Sequence, residues 1–257
     1  MKNIFKIIGV VSISILLGLT SCKKDTTSEP AQVNFRLTDG PGQYDNVYVD
    51  IQNIKIHSNT GGWQTPPNFN SGVYDLLELN NGLDTFLCSI DLPAGKISQI
   101  RLMLGDNNSV VVDGTTHSLN TPSGKESGVK LNLHEEFTAG VSYTVWLDFD
   151  AGKSVVETGN MSYNLKPVIR AFSGLTDGKL KGVVQPMSTD PVVYAVQGTD
   201  TLSAIPNSNG YFMMCGLGGA YDVHVVPNDT SYQTATFNGV QVNYGQINDL
   251  GSIQLQQ

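Results

Sequence analysis

From Val33 onward apolar residues recur at every second position. Val33, Phe35 and Leu37 fall on one face before Asp39-Gly40-Pro41-Gly42 turns the chain. Val47, Val49 and Ile51 predict a second strand; Ile54 and Ile56 resume it with changed parity, which places a bulge near Gln52-Asn53. The same alternation predicts strands over 73–79, 85–92, 97–104, 110–112, 129–133, 142–149 and 163–172, punctuated by Asn80-Asn81-Gly82, Pro93-Ala94-Gly95 and Gly105-Asp106-Asn107-Asn108. A helical turn is expected only within 151–157. Short strands separated by Gly and Asn turns specify an all-β fold, here a β-sandwich or partly closed barrel over 33–172.

Ser173-Gly174-Leu175-Thr176-Asp177-Gly178 breaks the pattern, and a second series follows at 179–184, 192–197, 210–217, 220–226, 234–242 and 251–255. This predicts a second, smaller β-sandwich over 178–257, a common domain size.

Ahead of both, Lys2 and Lys6 precede an apolar run over 7–19, interrupted by Gly9, Ser12, Ser14 and Gly18. The run is too short for the roughly 20 residues of a membrane span and has the layout of a secretory signal. Leu19-Thr20-Ser21-Cys22 resembles the lipobox of bacterial lipoproteins. That resemblance implies a signal peptide over 1–21, cleavage before Cys22, and lipid on its thiol and amine; a plain signal peptide ending at a chance cysteine is the alternative. Residues 22–32 are polar and aperiodic, which predicts a flexible tether. Lys23 stands where an inner-membrane retention signal would have Asp, so the resemblance favours the outer membrane. Lys23-Lys24-Asp25 partly resembles a surface-export signal.

The formal charge is −8; the signal carries Lys2 and Lys6 and no acid, so the mature chain stands at −10. Such a body is repelled by phosphate backbones, and nucleic acid is not an expected partner. Charged residues make up 15%, well below the usual quarter, as expected of an exported, turn-rich β protein. Beyond Cys22 only Cys88 and Cys215 remain. A disulfide between them is the alternative, but they fall in different predicted domains, and Cys88 reads as a small buried hydrophobe on a face with Phe86, Ile90 and Leu92.

Two further resemblances concern the body. Leu37-Thr38-Asp39-Gly40-Pro41, Leu92-Pro93-Ala94-Gly95 with Ile100-Arg101-Leu102, Ser127-Gly128-Val129-Lys130, Leu147-Asp148-Phe149-Asp150-Ala151 and Leu165-Lys166-Pro167-Val168-Ile169-Arg170 together resemble the exported module known as domain of unknown function 4382. Gly182-Val183-Val184, Asn209-Gly210-Tyr211-Phe212, Gly219-Ala220-Tyr221-Asp222-Val223 and Leu250-Gly251-Ser252-Ile253 resemble carboxypeptidase-regulatory-like domains, which implies a small transthyretin-like Greek-key sandwich. Gly218-Gly219 departs from the Pro-x-Gly usual in that family. Neither resemblance brings catalytic residues or a cofactor, and none is expected.

Several groupings invite chemistry. Ser127 and Lys130 have Ser-x-x-Lys spacing, but that chemistry needs a helical face and Val129, Leu131 and Leu133 alternate as a strand. Asp148 and Asp150 share a strand face with Trp146, their carboxylates about 7 Å apart. An ion network with Lys153, Lys166 or Arg170 is the favoured reading, and a bound cation the alternative. Their spacing lies within reach of glycoside hydrolysis, so a hydrolase is also carried. Asp39, Asp45 and Asp50 gather around the first turn, where Asp is an ordinary turn residue; calcium chelation by the three is the alternative. His57, His117, His134 and His224 show no zinc-ligand spacing. Trp63, in Gly61-Gly62-Trp63-Gln64-Thr65-Pro66-Pro67-Asn68, combines an aromatic with amides as a sugar-binding surface requires. The expectation is a lipid-anchored envelope protein with a binding, adhesive or structural role; a glycan-binding module centred on Trp63 and a hydrolase using Asp148 and Asp150 are the alternatives. Expected partners are the membrane, through the anchor, and an envelope protein or glycan.

Overall fold

The computed structural model describes residues 29–121 and 127–257. The signal segment 1–21, Cys22, the Lys23-Lys24-Asp25 signal, the tether up to Ser28 and the stretch 122–126 lie outside the described residues.

The first half of the chain forms β1 (Ala31–Gly40), β2 (Asn46–Ser58), β3 (Gly62–Gln64), β4 (Gly72–Asp75), β5 (Thr85–Leu92), β6 (Gly95–Leu104), β7 (Ser109–Val112) and β8 (Thr115–Asn120). It continues as β9 (Val129–Leu131), β10 (Glu135–Phe137), β11 (Ser142–Asp150), the one-turn helix α1 (Ala151–Ser154), β12 (Val155–Gly159), β13 (Ser162–Leu165) and β14 (Ile169–Ser173). Strands β14-β11-β1-β5 make a four-stranded sheet, and β2 and β6 run through the middle of a ten-stranded one. Val33, Phe35 and Leu37 of β1, Val145, Leu147 and Phe149 of β11, and Ile54, Ile56, Ile100 and Leu102 of the second sheet are fully buried together between the two layers. Alternation produces this arrangement: one face of each strand is apolar and must be covered. Among the described residues no sheet closes into a barrel.

The second half forms β15 (Gly178–Gln185), β16 (Val192–Gln197), β17 (Asp200–Ala204), β18 (Tyr211–Leu217), β19 (Gly219–Val226), β20 (Ala235–Val242) and β21 (Ile247–Gln254). Sheets β18-β15-β21 and β17-β16-β19-β20 enclose a separate core around Leu180, Val184, Phe212, Val223 and Val225.

Several local expectations are corrected. The strand expected over 73–79 stops at Asp75, whose carboxylate accepts from Leu77 N and caps a 3-10 turn over Leu76–Leu79. The strand expected over 163–172 is two strands, because Pro167 has no N–H to continue a ladder. The bulge in β2 falls between Ile51 and Asn53. A second irregularity, where β1 steps between Phe35 and Arg36 against β5, shifts the parity of β5. Leu87 and Cys88 are therefore both buried, and Phe86 turns outward. Cys88 and Cys215 are free thiols.

Candidate functional site

The inward face of β1 and β11 fills the core; part of the outward face of β11 meets the second half of the chain. In the ladder Asp148 stands opposite Arg170 and Trp146 opposite Phe172, so these four side chains share the outer face. Arg170 uses all three guanidinium nitrogens there: Nε donates to Asp148 Oδ2 at 2.6 Å, one terminal nitrogen to Gly216 O at 2.9 Å and the other to Cys215 O at 2.5 Å. Its planar fork thus joins a carboxylate of the first sandwich to two carbonyls at the end of β18. Phe172 stacks on Trp146 with centroids 5.5 Å apart, and Trp146 Nε1 donates to Asp84 Oδ2 at 2.8 Å.

The contact continues along the seam. Asp150 caps α1 through Lys153 N at 2.9 Å and pairs with Lys153 Nζ at 2.9 Å, and that ammonium also donates to Thr201 O. Asn81 donates to Ile205 O and accepts from Met213 N. At Gly216, φ is +66° and a Cβ would lie 2.5 Å from the Phe172 ring, so only glycine admits this approach. Gly216 N donates to Asp177 Oδ1, whose other oxygen is 3.2 Å from Lys179 Nζ.

A cavity of about 130 Å³ lies in the seam, with Asp39, Asp148, Asp150, Lys153 and Arg170 on one side and Leu202, Ser203, Met213 and Cys215 on the other. That is room for several waters. Asp39 Oδ1 accepts from Ala151 N at 3.0 Å, while buried Oδ2 has no partner. Burial raises the Asp39 carboxyl well above its ordinary range, and the Asp148, Asp150 and Asp75 charges add to the rise against the Ala151 hydrogen bond. Burial also pushes the Cys215 thiol up to about 11.

The expected grouping of Asp39, Asp45 and Asp50 is not formed. Asp39 belongs to the seam, Asp45 accepts from Gly114 N, and buried Asp50 accepts from Gln52 and Asn107. Reading Asp39 as a turn residue missed its parity: it continues the series Val33, Phe35, Leu37 and so points inward. Asp84 and Asn81 were also missed, and no sequence pattern marks them. Ser127 and Lys130 sit on a turn and on β9, not on a helix. Among the described residues no group of three His, Cys, Asp or Glu could hold a metal ion. Trp63, 47% exposed, is remote from the seam: His57 packs against it edgewise at 5.1 Å and the Arg101 guanidinium lies 5.2 Å from its ring centroid.

Residues 30–167 match the family described as a domain of unknown function (DUF4382). The chain belongs to this family. The DUF4382 region contributes Asp39, Asp148, Asp150 and Lys153 to the seam, and Arg170 lies just beyond the matched span. No curated protein matches the chain. Among solved structures, a type II cohesin–X-dockerin complex from Acetivibrio cellulolyticus shares 22% identity over 30% of this chain and 56% of its own, with a TM-score of 0.24. The chain thus spans little more than half the length of that relative. The Bacillus anthracis TIE protein shares 10% identity over 88% of this chain and 35% of its own, with a TM-score of 0.25. The major pilin subunit of Bacillus cereus shares 10% identity over 89% and 70%, with a TM-score of 0.20.

Proposed function

We propose that this DUF4382 protein is a non-catalytic, lipid-anchored component of the outer membrane, attached through Cys22, whose body has a binding, adhesive or structural role. The observation that carries the non-catalytic reading is the state of the seam carboxylates. Asp148 is paired with Arg170 and Asp150 with Lys153, and both cations also hold backbone carbonyls of the second sandwich. A hydrolytic pair needs one carboxyl free to move a proton and another free to attack or to activate water. Here both are committed to joining the two halves. The second half, by its resemblance to carboxypeptidase-regulatory-like domains, serves as an accessory module docked on the first.

The anchor is tested by labelled palmitate in cells producing the full chain: label is expected in the wild type and absent from Cys22→Ala. Equal labelling would refute it. Protease shaving of intact cells separates a surface location from a periplasmic one. The role of the body is tested by an envelope pull-down with the wild type, in which saturable capture of a defined component supports a binding role and hydrolysis of an envelope polymer overturns the non-catalytic reading.

A second reading, glycan binding at Trp63, is favoured by the half-exposed ring. A glycan-array signal lost in Trp63→Ala supports this reading; a signal that persists in the variant rejects it.

A further inference from the structure

The strand directions place several large exposed apolar side chains at one end of the molecule. Strand β1 begins at Ala31, where it pairs in parallel with the start of β11: Gln32 stands opposite Ser142, and Gln32 N donates to Val141 O. β14 runs antiparallel to β11, so it leaves the sheet at this same end, with Gly174 N donating to Thr144 O. The chain then starts β15, and β21 runs parallel to β15 with Ile247 opposite Lys179. The turn between β20 and β21 is fixed here by Gly245 N donating to Asp177 O and by the Tyr244 ring lying against Gly218. Val141, Leu175, Tyr244 and Ile247 consequently lie at the end where Ala31 enters the fold. They are 42%, 55%, 59% and 57% exposed.

Val141 precedes a strand, Leu175 lies in the link between the halves, and Tyr244 and Ile247 flank a tight turn, all positions where polar residues are usual. The charges at this end are mixed and on balance acidic: Glu29, Asp91, Glu135, Glu136 and Asp177 against Lys96 and Lys179. Attraction to anionic lipid therefore does not explain the patch; apolar insertion does. Tyr suits a place where one end of the ring is apolar and the other wet.

We infer that the end carrying Val141, Leu175, Tyr244 and Ile247 rests on the bilayer surface, with these side chains entering the boundary between headgroups and acyl chains. The inference rests on the lipid-anchor reading. Cys22 lies nine residues before Ala31, a separation that spans roughly 30 Å at most, so an acylated Cys22 keeps this end within reach of the membrane. A surface too small to hold a soluble protein on lipid is then presented at high effective concentration. The long axis of β1 would stand away from the membrane, and the seam cavity near Gly40 would face outward.

The test uses the full chain purified from membranes and reconstituted in phosphatidylcholine vesicles, with and without brominated acyl chains. Ile247→Trp supplies a reporter at the patch, in a Trp63→Phe background. Emission of that tryptophan is expected to fall in brominated lipid, while Trp146, read alone in the Trp63→Phe protein, stays unquenched. Adding Leu175→Asn and Tyr244→Asn is expected to restore the reporter emission, and raising the salt concentration is expected to leave the quenching unchanged. A reporter unaffected by brominated lipid in protein that carries palmitate at Cys22 overturns the surface contact and leaves the anchor standing. Absence of palmitate overturns the anchor, and the contact that depends on it falls too.

Discussion

Arg170→Met keeps most of the side-chain bulk but removes the charge that faces Asp148. Asp148 is 8% exposed and receives Arg170 Nε at 2.6 Å, so the variant leaves a buried carboxylate without its cation. Breaking a buried pair from one side costs about 3–5 kcal/mol. Arg170 itself is about one-third exposed and water can reach the vacated place, which puts the expected loss near the lower figure, about 3 kcal/mol. The carbonyls of Cys215 and Gly216 lose their donors as well, so the damage is directed at the seam. In a Trp63→Phe background the remaining tryptophan, Trp146, stacks on Phe172 beside the pair and reports on that place during urea unfolding. The expected result is a lower midpoint by Trp146 fluorescence, with a smaller shift by circular dichroism if the second core unfolds independently. Asp148→Asn combined with Arg170→Met removes the stranded charge and is expected to recover most of the loss. A single variant losing less than about 1 kcal/mol, or a double variant as unstable as the single, would refute the clamp.

Asp39→Asn tests the orphaned carboxyl. A carboxyl raised in the folded state stabilises the fold below its unfolded pKa, and that contribution is lost as pH rises through the folded value. The variant keeps an acceptor for Ala151 N and is expected to be more stable than the wild type by about 1–3 kcal/mol at pH 8, the difference closing near pH 4; parallel melting curves from pH 4 to 8 would contradict it. Gly216→Ala combines a positive φ with a collision against Phe172 and should cost about 1–3 kcal/mol in chemical denaturation, whereas exposed Gly198→Ala, with a similar φ but open space, should cost less. Burial raises Cys88 to about 12 and Cys215 to about 11, so both thiols should react slowly with a disulfide reagent at pH 8 and quickly once urea unfolds the chain. Fast reaction of the native protein would show that neither is shielded.

The all-β class, the two sandwiches' strands and the bulge in β2 were legible because a strand with one buried face must alternate, and alternation is a property of the sequence alone. The same rule carried Trp146, Asp148 and Asp150 to one face of β11. It failed where backbone irregularity or capping intervened: at Phe86, where a shift in the β1–β5 ladder reversed the parity, and at Leu76–Leu79, where the Asp75 cap favoured a 3-10 turn. For Asp39 the pattern held the answer, and the turn-forming tendency of Asp-Gly-Pro obscured it.

Only the tertiary structure decided what the outer face of β11 meets. Arg170 is one of three cations expected beside the β11 carboxylates, but the carbonyls it holds at Cys215 and Gly216 lie 45 and 46 residues from it along the chain. No local pattern encodes such distances, because a sheet face can be covered by any segment whose shape and hydrogen-bonding groups complement it. Sequence periodicity determined which side chains point out of each sandwich. The packing of one sandwich on the other turned some of those side chains into a clamp and placed Leu175, Tyr244 and Ile247 at the end where the chain enters the fold.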